Sequence, residues 1–101
     1  MIYLRRVVGQ SMLPTLRPGQ VCLFVKSRTY QHGDIVLAQA EGRPVVKRMH
    51  VQEGEIHLKG DNHAATTNYI LGRHARKNKV VAKMVWPRRG LDPQTRELLT
   101  D

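Results

Sequence analysis

Short apolar runs separated by polar turn residues make up most of the chain, and no long segment repeats its apolar residues with the 3.6-residue period of a helix. Glycine and proline turn signals, such as Arg17-Pro18-Gly19, separate the runs. The pattern therefore predicts a mostly β fold, a small antiparallel sheet or partly closed barrel. The predicted strands are Ile2–Val8, Val21–Lys26, Asp34–Ala38, Val45–Val51, Glu55–Leu58 and Val80–Trp86.

The one helix signal lies near the end of the chain. Asp92 suits the N-cap, Pro93 suits the first helical position, and Leu98 and Leu99 supply an apolar face, so we predict a short helix over residues 92–100. A length of 101 residues is enough to bury one compact core and not two. We therefore expect a single domain over residues 1–101.

The composition is that of a globular protein, with 41% hydrophobic and 25% charged residues. The longest apolar run, Val21–Val25, is far shorter than the roughly 20 residues of a membrane helix, and Arg5 and Arg6 interrupt any apolar leader. A single cysteine, Cys22, excludes an internal disulfide and a thiolate metal cluster. These features favour a cytoplasmic location.

The charge is strongly positive, because 17 Lys and Arg residues against 8 Asp and Glu give a net charge of +9. Between Asp61 and Asp92 the chain has no acidic residue. Such a surface attracts polyanions, for example nucleic acid, anionic lipid or an acidic protein. No helix-turn-helix, zinc-finger or RNA-binding pattern accompanies the charge, so a solvated basic face is the favoured interpretation.

Ser11 is the candidate nucleophile. It lies directly after the first predicted strand, between Gly9, which permits close backbone approach, and Pro14, which ends strand pairing. We therefore expect its hydroxyl to be accessible where the strand turns away. Gly-x-Ser-Met alone is a weak signal of a nucleophile.

A serine hydroxyl needs a base, and Lys47 is the candidate because the five histidines form no recognisable triad signature. Period two places Lys47 between Val45 and Met49 on one face of a predicted strand, and Arg48 on the opposite face, towards solvent. Apolar surroundings would lower the lysine pKa from about 10.4 towards the ~7–8 that a base needs. On this segment alone, an ordinary surface lysine is the favoured alternative.

Four motifs in order resemble the successive conserved boxes of type I signal peptidases: Gly9–Leu16, Gly33–Val36, Val46–Arg48 and Gly60–Asn62. Gly-x-Ser-Met followed by Val-Lys-Arg is also similar to LexA-like repressors and UmuD-like proteins. The resemblance covers residues 7–87. Within this superfamily the chain most resembles the short, anchor-less nickel-type superoxide dismutase maturation proteases, which have a Gly-Asp-Asn box and a last strand ending in Trp-Pro, as at Trp86-Pro87.

The resemblance implies a serine–lysine dyad, with Ser11 as the acylated nucleophile and Lys47 as the general base. The Ser11 amide would be one oxyanion donor, but Gly9 stands where signal peptidases often have a hydroxyl, so this position supplies no side-chain donor. Gln10 and Met12 would contact the substrate.

The resemblance also implies roles for residues in the segment after the fifth predicted strand. Gly60, Asp61 and Asn62 would shape a structural turn near the dyad, and Thr66 would by count supply the hydroxyl that bonds the lysine. The Ser-x-Asp-Ser-Arg pattern usual at this place is absent, which allows for weakened activity. No metal and no cofactor are expected.

The function implied is that of a serine endopeptidase that removes an N-terminal leader from a protein substrate. The substrate would bind extended beside Ser11. Alternatives are a catalytically weak or inactive relative acting as a basic binding module for nucleic acid or protein, and the catalytic domain of a membrane-tethered signal peptidase, which would be membrane-associated. Leu13, Leu16 and Phe24 are expected to form an apolar patch that supports weak membrane-surface association.

Overall fold

The computed structural model describes residues 1–72 and 78–87. The strands are β1 (Ile2–Arg6), β2 (Val21–Val25), β3 (Ile35–Ala40), β4 (Arg43–Gln52), β5 (Glu55–Lys59), β6 (Tyr69–Leu71) and β7 (Lys79–Trp86). They form one antiparallel sheet in the order β1-β2-β7-β3-β4-β5-β6, which confirms the mostly β prediction. The described residues contain no helix, and the helix predicted over 92–100 lies outside them.

Each predicted strand is present with its ends shifted by one or two residues, and two further differences bear on the site. β6 was not predicted, because its three residues are too short to show an alternating pattern; it pairs with β5 through Leu58 and Tyr69. β4 begins at Arg43 rather than Val45 and includes Pro44. A proline is tolerated there because β5 pairs with β4 only from Arg48 onward, which leaves the start of β4 with β3 as its strand neighbour.

Two tight hairpins fix the register of β3, β4 and β5. Glu41 and Gly42 join β3 to β4, and Glu53 and Gly54 join β4 to β5, each pair with positive φ. Two successive residues with positive φ match the right-handed twist of the flanking strands. The resulting register places Lys47 opposite Val36.

The hydrophobic core covers both faces of β3. Ile35 and Leu37 pack with Phe24 on one face, while Val36 and Ala38 pack into a second cluster on the other. A central strand that is buried on both faces anchors its neighbour β4 firmly. The second cluster is completed by Met49 and Leu58.

The expected apolar surface patch is not formed by the predicted residues. Leu16 and Phe24 are both 0% exposed, because they pack in the cluster with Val7 and Met84 instead of facing solvent. Leu13 is half-buried. None of the described residues belongs to a helix that is long and apolar enough to cross a membrane.

Candidate active site

A cleft of about 480 Å³ brings Ser11 and Lys47 together. One wall consists of residues 5–12, which run from the end of β1 into residues 9–16, here called the Ser11 segment. The other wall consists of residues 43–47 at the start of β4. Two segments that lie far apart in the sequence thus form opposite sides of one cavity. Leu37, Ala65, Thr67 and Tyr69 complete the lining.

Lys47 is buried in the wall of this cleft, with 5% of its surface exposed. It lies opposite Val36, and Met49 follows on the same face of β4; both are buried. This burial lowers the pKa of the Lys47 ammonium below the ordinary lysine value of 10.5. Within the described part of the chain, no carboxylate forms an ion pair with Lys47.

The Thr66 hydroxyl is the hydrogen-bond partner of Lys47. Its Oγ1 accepts from Lys47 Nζ at 3.1 Å and from the Gly60 backbone N–H at 3.1 Å. Its own proton is directed to the Thr67 carbonyl oxygen and to Asn68 Oδ1, each 3.4 Å away. Because Thr66 donates elsewhere, the lone pair of a neutral Lys47 amine is left available for another donor.

Asn62 holds the Ser11 segment in place through two backbone carbonyls. Its backbone N–H donates to the Ser11 carbonyl at 2.9 Å, and its Nδ2 donates to the Gln10 carbonyl at 3.0 Å. The Ser11 backbone N–H has no hydrogen-bond acceptor among the described residues. Gly9, just before, has a φ of +81°, a left-handed conformation that favours glycine.

Gly60 lies where three parts of the site meet. It is buried, and a Cβ atom at this position would overlap the Ser11 carbonyl oxygen and Thr66 Oγ1 and lie 2.7 Å from Thr66 Cβ. The absence of a side chain therefore allows the Ser11 segment and Thr66 to approach the end of β5 closely.

Asp61 is held by an ion pair that the sequence did not reveal. Arg48 Nε and Nη2 donate to its two carboxylate oxygens, both at 2.9 Å, and the Thr15 hydroxyl also donates to it. Burial acts to raise the pKa of the Asp61 carboxyl, but the hydrogen bonds and charge of Arg48 outweigh it, so the pKa is lowered. Arg48 Nη1 also donates to the Gly33 carbonyl at 2.8 Å.

The prediction that Arg48 faces solvent is therefore wrong. Its side chain is 19% exposed and lies against Asp61, although it does point away from the face that carries Lys47. The ion pair joins β4 to the turn after β5, and the hydroxyl of Thr15 adds the Ser11 segment to the same cluster. The only signal in the sequence was that Asp61 is the last acidic residue before the basic segment that extends to Asp92.

The remaining candidate residues occupy different positions. Gln10 is exposed on the cleft wall, whereas Met12 is 1% exposed and packs mainly in the core while its surface contributes to the lining. His32 and His50 form an edge-to-face pair with ring centroids 5.3 Å apart, and neither lines the cleft. No group of three or more potential metal ligands occurs in residues 1–72 and 78–87.

Comparison with known protein families gives a match that covers most of the chain. A family model described as Peptidase S24-like matches residues 1–85, the region that contains the cleft and all the site residues discussed above. This match supports the resemblance to LexA-like and signal peptidase-like proteins, while the narrower resemblance to nickel-type superoxide dismutase maturation proteases stays a prediction. No curated protein matches the chain.

Proposed function

The chain belongs to the Peptidase S24-like family, and from this premise we propose that it is a serine endopeptidase in which Ser11 is the nucleophile and Lys47 the general base. Its reaction removes an N-terminal leader from a protein substrate. The observation that carries the proposal is the position of Lys47, which is buried in the same cleft as Ser11 and has a hydroxyl, not a carboxylate, as its partner.

Burial gives Lys47 the property that a general base requires. A lysine paired with a carboxylate would keep its proton, whereas the apolar contacts of Val36 and Met49 favour the neutral amine. The hydrogen bond to Thr66 orients the amine without supplying a negative charge. A neutral amine so placed can accept the proton of the Ser11 hydroxyl.

The reaction then proceeds in two halves. Lys47 Nζ takes the Ser11 proton as Oγ attacks the substrate carbonyl, and the resulting ammonium gives that proton to the leaving amine as the peptide bond breaks. A water molecule, deprotonated by the same amine, next attacks the acyl-serine and releases the new carboxyl terminus. The Ser11 backbone N–H stabilises the oxyanion in this proposal, which is supported by its lack of an acceptor among the described residues.

The cleft can hold an extended peptide between its walls. The start of β4, residues 43–47, has β3 on one side and faces the cleft on the other. An unpaired strand edge offers backbone donors and acceptors to a bound segment, which would add to the sheet as a strand. The edge thus presents a substrate backbone to the Ser11 wall.

Covalent labelling tests the proposal without knowledge of the substrate. The protein is treated with a serine-acylating penem-type probe, and the intact mass is measured. We expect one adduct on Ser11, and we expect it to be absent from Ser11→Ala and from Lys47→Met, which keeps the length of the side chain but has no amine.

Two matched variants serve as controls. Ser27→Ala removes the other serine, and Lys26→Met removes an exposed lysine outside the cleft, so both should be labelled like the wild type. A folded wild-type protein that stays unlabelled from neutral to alkaline pH would contradict the dyad. Equal loss of labelling in Lys26→Met would show that the effect of Lys47→Met is not specific.

A further inference from the structure

The cleft that holds Ser11 and Lys47 is lined by cations and by no carboxylate. Arg5 and Arg6 lie on one wall, and Arg43 lies at the far end of the other. No Asp or Glu is among the described residues of the lining. A segment that carries negative side chains is the electrostatically complementary occupant of such a cleft.

The guanidinium groups of these three arginines are not neutralised within the described part of the chain. Arg5 and Arg6 each donate to a backbone carbonyl, at 2.9 and 2.8 Å. Arg43 makes no side-chain hydrogen bond or ion pair with any described residue, and it is exposed. Its planar set of donors is therefore available to a carboxylate from another molecule.

Arg48, in the same strand as Arg43, differs from it in having a carboxylate of the protein as its partner. Arg48 is half-buried outside the cleft and binds the Asp61 carboxylate with two hydrogen bonds of 2.9 Å. Within one strand, β4, one arginine is thus given a carboxylate of the protein, and the other, Arg43, faces the cleft without one.

The geometry of β4 sets the distance between Arg43 and the peptide bond that Ser11 attacks. Arg43, Val45 and Lys47 alternate along the strand and lie on one face, so Arg43 is four residues, about 13 Å, from Lys47. A bound extended peptide advances by the same rise per residue. A side chain that reaches Arg43 would then come from about four residues away from the bond next to Lys47.

We propose that Arg43 selects substrates that carry an Asp or Glu side chain about four residues from the bond that Ser11 attacks. The selection rests on the endopeptidase function proposed above and names the class of substrate, a protein whose cleavage site is flanked by acidic residues. Exposed ion pairs are modest in strength, so the preference amounts to about 1.5-fold to fivefold in affinity.

Peptide binding to the full chain carrying Ser11→Ala tests the selection without turnover. The probes are short fluorescent peptides with an Ala-Ser-Ala centre and Gln flanks, in which Glu replaces Gln at one position at a time. We expect Glu to tighten binding at a position about four residues from the centre. Combining Arg43→Gln with Ser11→Ala should abolish this preference. Combining Arg28→Gln with Ser11→Ala, which removes an exposed arginine outside the cleft, should leave the preference unchanged.

A reversed charge provides a second variant. Arg43→Glu should prefer Lys over Glu at the same peptide position, a result that loss of folding could not produce. The selection is overturned if Glu tightens binding at no position, or if Arg28→Gln weakens the preference as much as Arg43→Gln.

Penem labelling of wild-type protein separates the two proposals. If the wild-type protein is labelled but shows no preference for Glu, the proposed role of Arg43 is refuted and the endopeptidase proposal stands. If the wild-type protein is not labelled but prefers Glu in a way that depends on Arg43, the dyad is refuted and the proposed binding of acidic peptides stands.

Discussion

Replacing Gly60 with alanine should disable the site while leaving the sheet folded. The new Cβ would overlap the Ser11 carbonyl oxygen and Thr66 Oγ1 and lie 2.7 Å from Thr66 Cβ. Carbon atoms in contact prefer about 3.5–4.0 Å, so the Ser11 segment or Thr66 has to move by roughly 1 Å. Both belong to the proposed catalytic apparatus, and neither can move without changing the geometry around Lys47.

The expected magnitudes follow from this displacement. Overpacking a well-packed site costs about 1–3 kcal/mol of unfolding free energy. A misplacement of about 1 Å at a reacting centre can lower the rate by about 10²-fold. We therefore expect Gly60→Ala to remain folded at room temperature and to be acylated by the penem probe about two orders of magnitude more slowly than the wild type.

The assay combines urea unfolding with the rate of adduct formation by intact mass. Gly54→Ala is the matched control, since Gly54 has a φ of +79° with open space around it, so an alanine there is strained but touches nothing. It should cost about 1–2 kcal/mol and leave the acylation rate unchanged. Wild-type acylation in Gly60→Ala, or equal slowing in Gly54→Ala, would refute the reasoning.

Three further predictions concern the charged groups. Lys47→Met should raise the unfolding free energy at neutral pH, because the wild type buries a group whose charged form is disfavoured there. Since burial lowers the Lys47 pKa in the folded state, the unfolded wild type binds more protons than the folded wild type as the pH rises towards the ordinary value of 10.5, and the wild type gains stability. The advantage of Lys47→Met, measured by urea unfolding at several pH values, should therefore shrink as the pH approaches 10.5. The acylation rate should rise with pH along a limb that lies below 10.5, since the base is neutral Lys47; a limb at or above 10.5 would argue against it. Asp61→Asn should lower the unfolding free energy by about 1–3 kcal/mol near neutral pH, because the neutral amide binds half-buried Arg48 more weakly than the carboxylate does. Since the folded-state pKa of Asp61 is lowered, this difference in unfolding free energy should persist above the ordinary value of 3.8 and disappear as the pH falls through the folded-state pKa.

The alternation of side chains predicted the strands well but not which faces of the sheet are covered. In β2 the five apolar residues alternate between buried and half-buried, and Phe24, expected on the surface, is 0% exposed. Period two separates two faces of a strand without saying what lies against each. The same limit explains Arg48, which does point away from Lys47 but contacts Asp61 instead of water.

The site residues could be nominated from the sequence mainly through motif order. Ser11 and Lys47 were singled out as a pair, and the structure lines one cleft with both. Thr66 was nominated by count from the resemblance, and its hydroxyl lies 3.1 Å from Lys47 Nζ. The closeness of Gly60 to Ser11 could not be predicted, because it depends on how the turn after β5 packs against a segment nearly fifty residues away.

The adjacent residues Lys47 and Arg48 show how one strand can hold two cations in opposite states. Since neighbours on a strand point to opposite faces, the carboxylate of Asp61 binds Arg48 in a fixed fork and forms no ion pair with Lys47. A chain with 17 basic residues and 8 acidic ones cannot pair every cation, so the placement of each carboxylate determines which cations stay unpaired. Lys47, which forms no ion pair with any described residue, shares its face with Val36 and Met49, whose apolar side chains favour the neutral amine. A shift of β4 against β3 by one residue would exchange the two environments and remove the base, and the tight hairpin of Glu41 and Gly42 that fixes this register is therefore a requirement of the chemistry as well as of the fold.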